Sequence, residues 1–256
     1  MNRGILVVAV LLAFGASVVA GPVLYSNGPL VTHPGGGFGG ADASALQQAL
    51  GMGVYGFGHQ FSLGNRVADD FTIPGGQTWN ISEIAFYAYQ TSSPTSPSPF
   101  TGVYVQIWDG SPLAGGSSVI WGDLTTNRLG ATSWANIYRV LDTGLSVTNR
   151  PVFGNDATVG VSLGPGTYWL DWMTDGSLSS GPWAPPITIL GQTTTGNALQ
   201  YIPATGWAAV LDNGGPQGLP FEIEGTQGGA IPEPATWALL GAGLAMLGLR
   251  RARKAN

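Results

Sequence analysis

Nearly one residue in four is a glycine or a proline: 41 Gly and 18 Pro among 256 residues. Relative to alanine, glycine costs a helix interior about 1 kcal/mol and proline about 3 kcal/mol. At that density few segments can hold a long helix. Between the breaks, apolar residues recur at every second position. Val103, Val105 and Ile107 alternate with Tyr104, Gln106 and Trp108, and Val159, Val161 and Leu163 alternate with Thr158, Gly160 and Ser162. Tyr168, Leu170 and Trp172 alternate with Trp169, Asp171 and Met173, and Phe221 and Ile223 with Glu222 and Glu224. Successive side chains of a strand point to opposite faces, so each run offers one face to a core.

In Trp79 to Tyr89 the apolar phase slips between Ile81 and Ile84, which predicts a bulge near Ser82-Glu83. Further strands are expected near 67–73, 117–122, 132–141, 187–190 and 198–202. Turn signals stand at Pro74-Gly75-Gly76, Asp109-Gly110, Gly164-Pro165-Gly166, Asp175-Gly176 and Asn213-Gly214. Roughly ten short strands punctuated in this way predict an all-β fold over 21–224, a single β-sandwich of jelly-roll type. Two stretches depart from the pattern. Residues 41–50 predict one short helix, with Asp42 as N-cap and Gly51 as stop. Ser92 to Pro99 is a polar, proline-rich loop.

Charged residues make up 9% of the chain, against about a quarter in ordinary soluble domains. Between Gly21 and Gln227 the cations are Arg66, Arg128, Arg139 and Arg150, against thirteen carboxylates, a balance of −9 with no Lys. An acidic body excludes nucleic acid and anionic lipid as partners of its general surface. The absence of cysteine removes disulfides, thiol catalysis and thiolate metal sites together.

The two ends read as addresses. Arg3, the apolar run Ile5 to Phe14 and the small residues Val18-Val19-Ala20 form a secretory signal peptide, 1–20, cut between Ala20 and Gly21. The apolar run is short for an uncleaved membrane anchor. At the other end a Gly-rich spacer, 225–230, leads to Pro232-Glu233-Pro234, an apolar stretch from Ala235 to Leu249, and the basic cluster Arg250-Arg251-Ala252-Arg253-Lys254. Flanking prolines hold the tripeptide extended. Fifteen helical residues reach roughly 22 Å, a marginal span that needs local thinning or the preceding residues. A buried core helix would leave four adjacent cations without acidic partners. A lipid-anchor signal normally has no basic stop after its tail.

Residues 231–254 resemble a PEP-CTERM sorting signal, the tripartite tail of exported Gram-negative proteins. The resemblance implies an exosortase-type membrane enzyme that cleaves near Pro232, Glu233 and Pro234, with Arg250 and Arg251 as part of the stop. It implies placement in the cell envelope, on the surface or in the extracellular matrix, and an association with exopolysaccharide and biofilm. The body is similar to that of uncharacterised PEP-CTERM proteins in Val67-Ala68-Asp69-Asp70-Phe71, Tyr138-Arg139-Val140 and Gly181 to Pro186. That similarity brings no activity with it.

No constellation in the body marks an enzyme. His33 and His59 are the only histidines and no Gly-x-Ser-x-Gly elbow exists in the exported part. The glycine run at 35–40 lacks the βαβ context of a dinucleotide site. Asp69, Asp70, Asp109, Asp123, Asn127, Asp142 and Asp171 offer oxygen ligands for a structural calcium ion, but they also suit turn capping, and no metal site is assigned. Paired carboxylates of a glycan hydrolase cannot be picked out among thirteen. Trp108, Trp121, Trp134, Trp169, Trp183 and Trp207 could fill the core or stack on sugars. Trp183, in a rigid loop, is the candidate carbohydrate contact of a lectin-like module. The expected function is therefore non-enzymatic surface or matrix association, with lectin and hydrolase as alternatives.

Overall fold

The computed structural model describes residues 21–228. Its strands, in chain order, are β1 Val23–Ser26, β2 Asp42–Leu46, β3 Phe57–Gly58, β4 Arg66–Ile73, β5 Thr78–Ala88 and β6 Phe100–Trp108. They continue with β7 Val119–Asp123, β8 Leu129–Leu141, β9 Pro151–Leu163, β10 Gly166–Gly176 and β11 Trp183–Ala184. The last are β12 Leu199–Ile202, β13 Gly206–Ala209, β14 Leu211–Asp212, β15 Gly215–Pro216 and β16 Phe221–Gly228. Two six-stranded sheets form, with orders β1-β16-β5-β9-β8-β2 and β13-β12-β4-β10-β6-β7.

Eight of these strands pair in a nested way. β1 pairs with β16, β4 with β10, β5 with β9 and β6 with β7, all antiparallel. The first member therefore meets the last, and the pairs close inward to a hairpin. One long ribbon folded over itself in this manner is jelly-roll wrapping. β8 and β2 extend one sheet, and β12 and β13 the other. The two inner faces enclose a core led by Trp172, Phe71, Phe86, Phe221, Ile84 and Leu170. Phe86 and Trp172 stack across it with centroids 4.7 Å apart. Burying such a side chain contributes about 1.5–3 kcal/mol, and six buried aromatic rings share this core with eight Ile and Leu side chains.

The bulge lies where the phase slip placed it. The β5–β9 register shifts between Ile81 and Glu83, and the β5–β16 register shifts opposite it, between Glu224 and Gly225. A side chain on Gly225 would run into the Asn80 carbonyl, so the close approach of β16 to β5 requires glycine. β16 then continues to Gly228, through residues whose composition reads as spacer. Asn213 and Gly214, at φ 49° and 78°, make the two-residue turn between β14 and β15.

Three expectations are corrected. Residues 41–50 are not a helix: they form β2, parallel to β8, followed by a single 3-10 turn at Gln48–Leu50 that Gly51 closes in the left-handed region. A ten-residue helix is marginal alone, and the small side chains of Ala43, Ser44 and Ala45 let this segment bury completely against β8. Asp42 accepts the Gly35 N–H at 2.7 Å instead of capping a helix. Residues 187–190 are not a strand, because their N–H groups serve different partners: Ile187 bonds Gly218 and Thr188 bonds Pro29. Asp175-Gly176 is not a turn but the irregular end of β10, where the register with β6 shifts.

Candidate functional site

The sheet β13-β12-β4-β10-β6-β7 has a second apolar layer on the face turned away from the main core. Alternation sends Trp172 and Leu170 inward and Trp169, Asp171 and Met173 outward. Outward residues should be wet, yet Trp169 is buried and Asp171 is fully buried. They are covered by other side chains of the same face. Ala68, Trp169 and Leu199 form a cluster against which Trp108 and Trp207 pack. Register explains the meeting. Trp169 lies opposite Trp108, Asp171 opposite both Ala68 and Gln106, and Tyr201 opposite both Arg66 and Trp207.

At the centre is an ion pair. Arg66 Nη1 stands 3.4 Å from Asp171 Oδ2, which also accepts from Gln106 Nε2 at 2.7 Å and from Trp108 Nε1 at 3.2 Å. The Arg66 guanidinium lies over Tyr201, 4.2 Å from the ring centroid, and 5.1 Å from that of Trp207. Burial pushes the Asp171 carboxyl up to about 6, while Arg66, Gln106 and Trp108 pull it down. Trp108, Tyr201 and Trp207 remain half-exposed. At the next level of the sheet Phe61 stacks on Tyr104, with centroids 4.1 Å apart and planes at 15°. Three partly exposed rings thus surround a buried charge network, with Tyr201 and Trp207 tilted at 60° to each other and the Arg66 guanidinium lying against both.

The outer face of the other sheet is different in kind. Glu83, Asp156 and Glu224 are all raised, first by burial and then by neighbouring carboxylates, with Glu222 among them. Tyr87 is pushed up to about 12 by burial and by Glu222. A groove of about 420 Å³ beside them holds Tyr87 and Glu222, but Glu222 is the only carboxylate lining it.

The sequence candidates fall apart in space. Pro232, Glu233, Pro234, Arg250, Arg251 and Ala20 lie outside the described residues. So does the apolar stretch from 235 to 249. Gly21 opens the described chain and packs against Gly225. Trp183 is half-buried in β11, which pairs with β3; its Nε1 lies 3.4 Å from Ser180 Oγ, and it shares no cluster with Trp108 or Trp207. Trp121 packs on the main core under Arg128, and Trp134 on Tyr138.

Several calcium candidates serve their own backbone. Asp123 accepts from Thr125 and Thr126, Asp109 from the Ser118 N–H, and Asn127 from Val103 and Leu129. Asp69 is buried and accepts from Asn27 Nδ2, Leu219 N–H and Asp70 N–H. Among the described residues no three His, Cys, Asp or Glu side chains gather where they could hold a metal ion. His59 is buried and held down to about 4 by desolvation, while His33 bonds Thr32 Oγ1. Arg66, Tyr201, Gln106 and Phe61 were not singled out from sequence. The available signal was Arg66 itself, one of only four cations in the body, at the head of a predicted strand.

Residues 230–254 match the family model described as the PEP-CTERM protein-sorting motif. The chain is accordingly an exported β-sandwich protein that carries a sorting signal for an exosortase-type enzyme at its C-terminus. No curated protein and no solved structure matches it.

Proposed function

We propose that this chain is a non-enzymatic surface or matrix protein of a Gram-negative cell, associated with exopolysaccharide in the manner of a lectin-like module. The observation that carries the reading is the half-exposed set Trp108, Tyr201 and Trp207 around the buried Arg66–Asp171 pair. Half-exposed apolar rings on one face mark an interaction surface. Their flat faces suit pyranose rings, and the acidic body favours a neutral polymer over an anionic one. The sorting signal supports the same destination, because it sends the sandwich to where secreted polysaccharide is found. Residues 235–249 act as a membrane segment until the tail is processed, and Arg250 and Arg251 hold its cytoplasmic end. No cofactor is required, and a structural calcium ion remains compatible with the acidic loops.

The test is co-sedimentation of the purified protein with the producing cell's exopolysaccharide, scored together with release of reducing ends. Binding without new reducing ends is the expected result. New reducing ends would make the protein a hydrolase, and neither signal would make it a scaffold for other partners.

A further inference from the structure

We infer that the end of the sandwich where β16 leaves the sheet stands against the bilayer surface in the unprocessed protein. This rests on the reading of residues 235–249 as membrane-embedded. Chain length sets the first constraint. Gly228 is still laddered to Thr78, and only seven steps separate it from Ala235, where the apolar stretch begins. Seven residues span at most about 25 Å even when fully extended. The thirteen residues of β9 run about 43 Å along the strand direction. The tether is shorter than the domain is long.

The fold decides what that tether holds close. Thr78 and Trp79 open β5 and pair with Gly228 and Gln227, and Trp79 also faces Leu163 at the end of β9. The turns 74–77 and 164–165 therefore lie at the tail-exit end. The N-terminus lies there too. The Gly225 N–H donates to the Pro22 carbonyl at 3.1 Å, and a side chain on Gly21 would come within 2.9 Å of Gly225 O. Because β1 is the nested partner of β16, the described chain begins at Gly21 and ends at Gly228 at one corner of the sandwich. The opposite end carries the loops 89–99, 142–150 and 177–182, joined by Ser92 N–H to Asn149 O and Thr91 N–H to Ser180 O.

Charge selects the upright pose over a flat one. The turns nearest the tail exit, Pro74-Gly75-Gly76-Gln77 and Gly164-Pro165, carry no charge, and the β6–β7 loop 109–118 at the same end carries one, Asp109. A domain lying on the β1–β2 sheet would instead press Glu83, Asp156, Glu222 and Glu224 against anionic headgroups.

The natural chain has no cysteine, so single substitutions report cleanly. Gly75→Cys sits in open space at the tail-exit end. Thr148→Cys is exposed at the far end, and Ala208→Cys is exposed beside Trp207. The full chain is placed in vesicles of phosphatidylethanolamine and phosphatidylglycerol, floated, and labelled with a bulky impermeant maleimide. The expected result is a several-fold slower reaction of Gly75→Cys than in detergent, with Thr148→Cys and Ala208→Cys unchanged. A flexible Gly-Ser insertion of ~20 residues after Gly228 should restore the rate. Equal rates at Gly75→Cys and Thr148→Cys, or protection of Ala208→Cys instead, would overturn the orientation. Failure of the chain to float overturns the membrane reading beneath it.

Discussion

At the residue scale the molecule places charge in its interior at several points and satisfies it differently each time. Arg139 is buried without a carboxylate in contact: it donates to Tyr55 O, Val54 O, Ser44 Oγ and Thr188 Oγ1, and burial lowers it to about 10. Arg66 has a true partner in Asp171. Removing one member of a buried pair strands the other, so Arg66→Ala should cost about 3 kcal/mol in urea unfolding. Replacing both, as Arg66→Met with Asp171→Asn, removes the charges while keeping an amide oxygen as acceptor for Gln106 and Trp108, and should recover most of that loss. A double variant no more stable than the single one would mean that the cost came from lost packing. Asp69 offers a pH test. Burial raises its carboxyl to about 7, against three hydrogen-bond donors that favour the charged form. Between its ordinary value of 3.8 and about 7 the folded protein holds a proton that the unfolded chain has released. Stability from this group is therefore full at low pH and is lost as pH rises through that interval. The stability advantage of the natural protein over Asp69→Asn should be largest near about pH 4 and smallest near about pH 8. A gap that widens with pH would contradict the assignment.

At the element scale, period-two alternation found most central strands, because each has one dry face against the core. It even located the bulge in β5, since a bulge is a phase slip and phase is visible in sequence. It failed where burial was on both faces or where pairing was not local. Ala43, Ser44 and Ala45 are all buried, so β2 has no alternation to read, and its alanines score as helix formers. Residues 187–190 have apolar side chains but send their N–H groups to separate segments, which no local pattern records. The outer platform was hidden for a related reason. Trp169 and Asp171 occupy positions that alternation assigns to solvent, and only the registers of β10 with β4 and β6 show that neighbours cover them. The bulge itself is testable. Gly225→Ala should force β16 away from Asn80 and cost about 2 kcal/mol or more. Gly75→Ala, in open space, should stay within about 0.5 kcal/mol of the natural protein. Equal thermal midpoints for the two variants would show that β16 accommodates the side chain.

On the scale of the whole molecule, nested pairing joins function to topology. The strand that closes the sandwich is the strand that leads into the sorting signal, and Gly21, the first described residue, lies beside it. Destination was the most legible property of the sequence, because a sorting signal is read as a linear string of residues. The face proposed to bind was the least legible, because it is assembled from β4, β6, β10, β12 and β13. If Pro232-Glu233-Pro234 is replaced by three alanines, the tail should stay uncleaved and the protein should remain in the membrane fraction. Unchanged processing in an immunoblot would reduce the tail to an anchor. The most direct test of the account is calorimetric titration of the purified protein with the producing cell's exopolysaccharide. Trp207 sits in the edge hairpin β12–β13, so Trp207→Ala can remove one ring while leaving the Arg66–Asp171 pair in place. Saturable heat in the natural protein, weakened at least about tenfold in Trp207→Ala and retained in Trp183→Ala, is the predicted result. Equal heats in the natural protein and Trp207→Ala, or none in either, would contradict it.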